Sequence, residues 1–287
     1  MWVAFALASA FFAGVVSILA KIGIKDTDSN LATALRTVVV TVFAWLMVFI
    51  VGSQSTLALI DAKSVAFLVM SGVSTGASWL CYFRALQIGD VNKVVPVDKS
   101  STVLTMLMAF IFLGEGLTLP KVVAMVLIGA GTYLMIERKE TGIDNPKGFQ
   151  WLIYALLSAV FASLTAILGK VGIVGVESNL GTAIRTIVVL IMAWLIVLIQ
   201  GKQSEIGRID RRSRVFIGLS GLATGLSWLC FYRALQEGPA SVVVPIDKLS
   251  ILITVAFGCI VLREKMGGKP LFGLLMIVAG TLGLLVV

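Results

Sequence analysis

Apolar stretches follow one another along the chain, separated by short polar breaks: Trp2–Ala20, Leu31–Val51, Val65–Leu86, Val94–Leu113, Val122–Ile136, Phe149–Leu168, Leu180–Ile199, Val215–Leu235, Val242–Leu262 and Leu271–Val287. A helix needs about 20 mainly apolar residues to cross a bilayer's hydrocarbon. Ten such stretches, with no linker long enough for a soluble domain, predict an all-α integral membrane protein of ten transmembrane helices. Composition agrees: 59% of the residues are hydrophobic, 13% are charged and the mean hydropathy is +1.03. A soluble domain is nearer half apolar and a quarter charged.

Several chemistries drop out at once. The N-terminal MWVAFALASAFFAGVV has neither a basic start nor a small-residue cleavage site, so it is expected to be the first span and not a cleaved signal. The chain has no histidine, which removes a Ser-His-Asp triad, a histidine-ligated zinc site and a histidine proton relay. Cys81, Cys230 and Cys259 fall inside apolar stretches and are expected to pack as small hydrophobes. No cofactor and no metal site are expected.

Shifting the chain by 149 residues, which lays Arg36 on Arg185, aligns most of it with itself without a gap. LAKIGIKDTDSNLATALRTVVV falls on LGKVGIVGVESNLGTAIRTIVV, and STGASWLCYFRALQIG on ATGLSWLCFYRALQEG. The expected organisation is a first five-helix repeat over 1–136, a polar linker over 137–148 and a second repeat over 149–287. Because five is odd, the second copy enters the membrane upside down, giving an inverted-topology repeat of the kind found in secondary transporters.

Loop charges orient the chain. Taking alternate loops together, one face collects Lys21, Lys25, Lys93, Arg138, Lys139, Lys147, Lys202, Arg208, Arg211, Arg212, Arg214, Arg263, Lys265 and Lys269; the other holds Lys63, Lys121 and Lys170. Basic residues gather in cytoplasmic loops. The linker is therefore expected in the cytoplasm and both termini outside, in an inner or plasma membrane. The net charge of +8 follows from these loops and needs no nucleic-acid partner.

Charges also lie within the spans. Arg36, Arg84, Asp98 and Lys99 recur as Arg185, Arg233, Asp247 and Lys248, the aspartate–lysine pairs falling within the paired motifs VVPVDKSS and VVPIDKLS. Taken singly, each cation can extend to the interface; Pro96 suits a first helical turn, and Asp98 would complement the positive end of a helix there. Taken together, each set carries three cations against one anion. Ionisable groups within spans face bundle interiors or water-filled cavities. The inverted topology puts the two sets toward opposite faces, where they would bind and gate a small anionic or zwitterionic solute. Trp79 and Trp228, about two turns before Arg84 and Arg233, either line that cavity or fill the bundle. Lys21 with Glu264, and Lys170 with Glu115, lie at matching span ends, where they either join the gates or, as is expected, sit at the interface. Gly72-x-x-x-Gly76 and Gly221-x-x-x-Gly225 suit close helix packing, Trp2 and Trp151 interface anchoring, and Ser29-Asn30 and Ser178-Asn179 helix caps.

The ten spans, the doubled five-helix unit and the motifs SNLxTAxRT, SWLCxxRALQ and VVPxDKxS resemble the EamA family of the drug/metabolite transporter superfamily over essentially the whole chain. The resemblance implies a metabolite transporter, importer or exporter, with a central cavity lined by the first four helices of each half. It names no solute. The related small multidrug resistance transporters carry a proton-binding glutamate in their first helix, whereas Trp2–Ala20 and Phe149–Leu168 contain no acid. A coupling ion, proton or sodium, would then fall to Asp98 or Asp247, whose charged forms Lys99 and Lys248 favour. A homodimer is left open.

Two other functions fit parts of the pattern. An intramembrane aspartyl protease needs two carboxylates sharing a proton, but one turn inside opposite faces of a ~30 Å core sets Asp98 and Asp247 more than ~15 Å apart. A lipid flippase or a non-transporting partner subunit would use the basic sets to hold anionic headgroups.

Overall fold

The computed structural model describes residues 1–23, 27–88, 91–135, 149–260 and 267–285. Lys25, Glu264 and the linker 137–148 lie outside these residues, as does the side chain of Lys21. Every regular element among the described residues is helical. The first half contributes α1 (Trp2–Gly23), α2 (Ser29–Val51), α3 (Ala62–Ile88), α4 (Val91–Lys99), α5 (Ser101–Leu113) and α6 (Leu119–Leu134). The second contributes α7 (Gln150–Gly172), α8 (Ser178–Ile199), α9 (Arg211–Glu237), α10 (Ala240–Asp247), α11 (Ser250–Ile260) and α12 (Gly268–Gly283). A 3-10 stretch follows α2 at Ser53–Leu59 and another follows α8 at Lys202–Arg208. Among the described residues, seven helical stretches are long and apolar enough to cross a membrane, one of them running Ala240–Ile260 through α10 and α11; α6 and α12 are apolar but shorter.

One expectation about local structure is overturned. The aspartate–lysine motifs do not open helices; they lie where a helix breaks. α4 ends at Lys99 and α5 begins at Ser101, and α10 ends at Asp247 with α11 beginning at Ser250. A proline inside a helix removes a donor and crowds the preceding turn, and Pro245 stands two residues before the end of α10. Beyond it the backbone tightens to 3-10 bonds: Leu249 N–H to Ile246 at 2.9 Å, Ile251 N–H to Lys248 at 3.1 Å and Leu252 N–H to Leu249 at 2.9 Å. Asp247 therefore sits where the negative end of one helix meets the positive end of the next, not in a first turn.

The caps are also displaced. Asp28, not Ser29-Asn30, caps α2, accepting from the Asn30 and Leu31 N–H groups at 3.0 and 3.1 Å. Glu177 caps α8 through the Leu180 N–H at 3.0 Å. A carboxylate one residue earlier reaches the same orphan donors and adds its charge to the helix dipole.

The two halves interlock. The most extensive packing runs between them: α3 on α7, its counterpart α1 on α9, and the like pairs α6 on α12 and α2 on α8. The glycine motifs make two further cross-half contacts. A Cβ on Gly72 or Gly76 would stand 2.7 and 2.5 Å from Val188 and Met192 of α8; one on Gly221 or Gly225 would stand 2.6 Å from Val39 or Phe43 of α2. Only glycine permits backbones to approach this closely. Trp2 and Trp151, expected at the membrane interface, are partly buried: Trp2 against Gly238, and Trp151 beside Ala85 and Val94. The outer faces expose large apolar side chains such as Val42, Phe49, Phe112 and Ile199, as suits a surface solvated by lipid.

Candidate solute cavity

Between the halves lies a cavity of about 390 Å³. Its walls come from α1, α2, α3, α5, α7, α8, α9 and α10, and they carry Arg36, Arg185, Asp247, Lys248, Trp79 and Trp228. Six of the residues singled out from the sequence are thus brought around one space, instead of being divided between two mouths. Asp98, Lys99, Arg84 and Arg233 do not line it. Arg84 is exposed near the end of α3. Arg233 pairs along its own helix with Glu237 at 2.7 Å, both side chains being partly exposed. The helix that follows the first motif, α5, packs against α10, which ends in the second.

Arg185 is the most enclosed charge in the wall, with 3% of its surface exposed. It belongs to α8 but is held from the other half: its Nε donates to the Ser71 hydroxyl at 3.1 Å and its Nη2 to the Thr75 hydroxyl at 2.6 Å, both on α3. The guanidinium carbon lies 4.9 Å from the ring centroids of both Trp228 and Tyr232, a contact worth about 2 kcal/mol where water is excluded. Its remaining nitrogen, Nη1, is buried without a hydrogen-bond partner. Among the described residues no carboxylate pairs with it. Burying a cation in this way is costly, and the outcome is a cavity wall with uncompensated positive charge. Arg36, Arg185 and Lys248 against Asp247 leave a net of two positive charges on that wall.

The aspartates are held by a serine network that recurs with the repeat. Ser9 of α1 donates to Asp247 Oδ1 at 2.6 Å and stands 3.3 Å from the Ser227 hydroxyl of α9. Ser158 of α7 donates to Asp98 Oδ1 at 2.7 Å and stands 3.3 Å from the Ser78 hydroxyl of α3. Each carboxylate is therefore received by the first helix of the opposite half. Asp247 Oδ2 also lies 3.8 Å from Lys248 Nζ. The two carboxylates are bound separately and, among the described residues, do not hydrogen-bond each other.

Sequence inspection singled out none of Ser9, Ser78, Ser158, Ser227, Ser71, Thr75 or Tyr232. A signal was available for most of them: Ser9 and Ser158, Ser78 and Ser227, Ser71 and Ser220, and Thr75 and Thr224 are repeat equivalents, polar residues retained twice in apolar helices.

The second charged pair, Glu115 and Lys170, grips the elbow between α9 and α10. Lys170 Nζ donates to the carbonyls of Leu235 and, at 2.7 Å, of Gly238. The Glu115 carboxylate accepts the N–H groups of Ala240 and Ser241 at 2.6 and 2.9 Å. A cation thus satisfies the end of one helix and an anion the start of the next, so this pair is a structural fastening more than an interfacial one.

Comparison with known proteins places this architecture. The EamA-like transporter family pattern matches residues 1–137 and again 149–286. A Sinorhizobium sp. protein described as an uncharacterized transporter in cobO 3'region is 45% identical over 132 residues, covering 46% of this chain and 94% of that protein. An uncharacterized Methanocaldococcus jannaschii protein is 30% identical over 102 residues, covering 32% of this chain and 74% of its own length. A solved crystal structure superposes over 99% of this chain and 96% of the other with a TM-score of 0.79 at 14% identity, a likeness of fold. With the family pattern present in both halves of an apolar, all-helical chain, the protein belongs to the EamA-like transporter family and is a membrane transporter.

Proposed function

We propose that the protein is a secondary active transporter, an exporter of a small metabolite, which carries an anionic or zwitterionic solute by alternating access through the cavity between its halves. The observation that carries this is the excess of positive charge on a wall shared by both repeats: three cations face one anion around about 390 Å³. That volume falls within the roughly 300–1,000 Å³ usual for small-molecule sites. Trp79 and Trp228 offer flat apolar faces beside the charges. Broken helices at such a site are a recurring device of transporters, since their free backbone ends meet solute and ion.

A coupling ion, proton or sodium, would act at Asp98 or Asp247, the two carboxylates beside the helix breaks. The linker is assigned to the cytoplasm and both termini to the outside of an inner or plasma membrane.

The test is thermal unfolding of purified protein against small carboxylates, zwitterions, cations and anionic lipid. A ligand bound only by the folded state raises its stability, by about 2.7 kcal/mol at 100 times the dissociation constant. Stabilisation by carboxylates or zwitterions is expected, with affinity reduced at least ~10-fold in Arg36→Gln, the size of a lost hydrogen bond to a charged group. Stabilisation by anionic lipid alone would sink the solute reading and favour a flippase or partner subunit.

A further inference from the structure

The two cavity arginines occupy equivalent positions, and their backbones have equivalent surroundings. The Arg185 carbonyl lies 3.2 Å from where a Cβ of Gly72 would stand, and the Arg36 carbonyl 3.0 Å from that of Gly221. The hydroxyls that hold Arg185, Ser71 and Thr75, have counterparts Ser220 and Thr224 beside Gly221 on α9. The aromatic pair over Arg185, Trp228 and Tyr232, is matched in sequence by Trp79 and Phe83. A receptor for a guanidinium is therefore built twice.

It is used once. Arg185, although part of the cavity wall, has two of its nitrogens bonded to Ser71 and Thr75 and is almost fully buried. Arg36 lines the cavity, and among the described residues no protein group accepts a hydrogen bond from it. Its receptor stands unfilled beside it: the Ser220 hydroxyl is buried without a partner, and the Thr224 hydroxyl donates to the Ser220 carbonyl at 2.7 Å as Thr75 does to Ser71 at 3.0 Å, which leaves its oxygen able to accept from a guanidinium as Thr75 accepts from Arg185. The receptor helices are equally close in both cases, since the glycine contacts of α2 on α9 and of α8 on α3 match. The difference lies on the aromatic side, where α8 packs against α9 over Arg185 while, among the described residues, α2 makes no comparable packing with α3 beside Arg36.

We propose that the two arginines take turns as the solute's ligand. In the conformation described, Arg36 presents its donors to one carboxylate or equivalent oxyanion while Arg185 is stowed on Ser71 and Thr75. In the mirror conformation Arg36 is stowed on Ser220 and Thr224, and Arg185 faces the cavity. One guanidinium is available at a time, so the cavity takes a single oxyanion per cycle. This rests on the alternating-access reading above and adds to it which residue binds in which state.

Phenylglyoxal, which modifies accessible guanidinium groups, tests the exchange on purified protein, with the labelling rates of Arg36 and Arg185 read by mass spectrometry. Losing a hydrogen bond to a charged group changes an equilibrium roughly tenfold. Ser220→Ala with Thr224→Val removes the mirror receptor, so the Arg36-to-Arg185 rate ratio is expected to rise roughly tenfold over the unmodified protein. Ser71→Ala with Thr75→Val is expected to lower it by a similar factor. These small changes preserve side-chain volume, and the opposite signs separate an exchange from general loosening. A ratio unmoved by Ser220→Ala with Thr224→Val overturns the proposal, because Arg36 then never uses that receptor. Acetate, lactate, glycine and choline serve as protecting probes. Slowing of Arg36 labelling by acetate or lactate supports the oxyanion assignment; slowing by choline and by no carboxylate overturns it. Ratios that shift both ways with no protection by any anion or zwitterion leave the exchange standing and remove the solute-class reading on which it was built.

Discussion

Ser9 and Ser158 each give one hydroxyl proton to an aspartate of the opposite half, at 2.6 and 2.7 Å. A carboxylate away from bulk water needs such donors, and removing one costs about 1–3 kcal/mol. Because the arrangement is repeated, Ser9→Ala and Ser158→Ala are expected to lower unfolding stability by similar amounts, measured in detergent by heat or denaturant. A cost at one position alone would show that the two networks do different work. The glycine contacts give a second prediction at this scale. Gly76→Leu would drive a side chain into Met192, already 2.5 Å from the missing Cβ, and overpacking of this kind costs about 1–3 kcal/mol. A drop in melting temperature is expected, larger than for Gly116→Leu, where a Cβ meets open space. The charged side chains were legible in the sequence because an ion in an apolar run stands out. The serines were not, because serine is common in helices, and only its recurrence in both copies distinguishes Ser9 or Ser78 from filler.

At the scale of elements, hydropathy located the long helices closely. α2 was expected from Leu31 and begins at Ser29, and both end at Val51. The breaks within the fourth and ninth spans escaped that method, since Val94–Leu113 and Val242–Leu262 are apolar on both sides of the motif. Hydropathy averages over a window and cannot register one missing N–H. The proline could have been weighed differently: six residues into its helix it lies beyond the first turn, and there it interrupts. Pro245→Ala restores a donor where α10 now ends, and a proline in a helix interior costs about 3 kcal/mol relative to alanine. The expected outcome is higher thermal stability, by a few degrees, with transport reduced, measured as unfolding in detergent and solute flux in liposomes. Stability and activity moving in opposite directions is the mark of a strained functional element; transport at full rate with α10 straightened would count against a role for the break.

At the scale of the molecule, the halves hold each other more than themselves: α1 lies on α9, α3 on α7, α2 on α8 and α6 on α12. Curated relatives of about half this length match one copy each. The covalent link through 137–148 is therefore expected to be dispensable for assembly. Two chains divided within that linker and expressed together should co-purify and unfold as one unit, whereas either alone should be recovered in low yield or as a self-associated form. Recovery of each half as a stable monomer would contradict it. Here the sequence was informative about the repeat, since the self-match of the chain agrees with a family pattern that recurs over 1–137 and 149–286. It did not reveal that Arg36 of the first half meets Arg185, Asp247 and Lys248 of the second around one cavity, because distance between helices from different repeats is set by packing that no linear pattern records.

The glycine contacts also bear on how such a chain changes over generations. Gly72 meets Val188, and Gly221 meets Val39, its counterpart across the repeat. Each close contact joins a residue of one copy to a non-equivalent residue of the other. A bulkier side chain arriving at Val188 must be answered on α3, outside its own copy, and one at Val39 must be answered on α9. Neither copy can drift toward a better fit with itself, because its mating surface is written in its twin; the two lineages inside this chain are bound to evolve as partners.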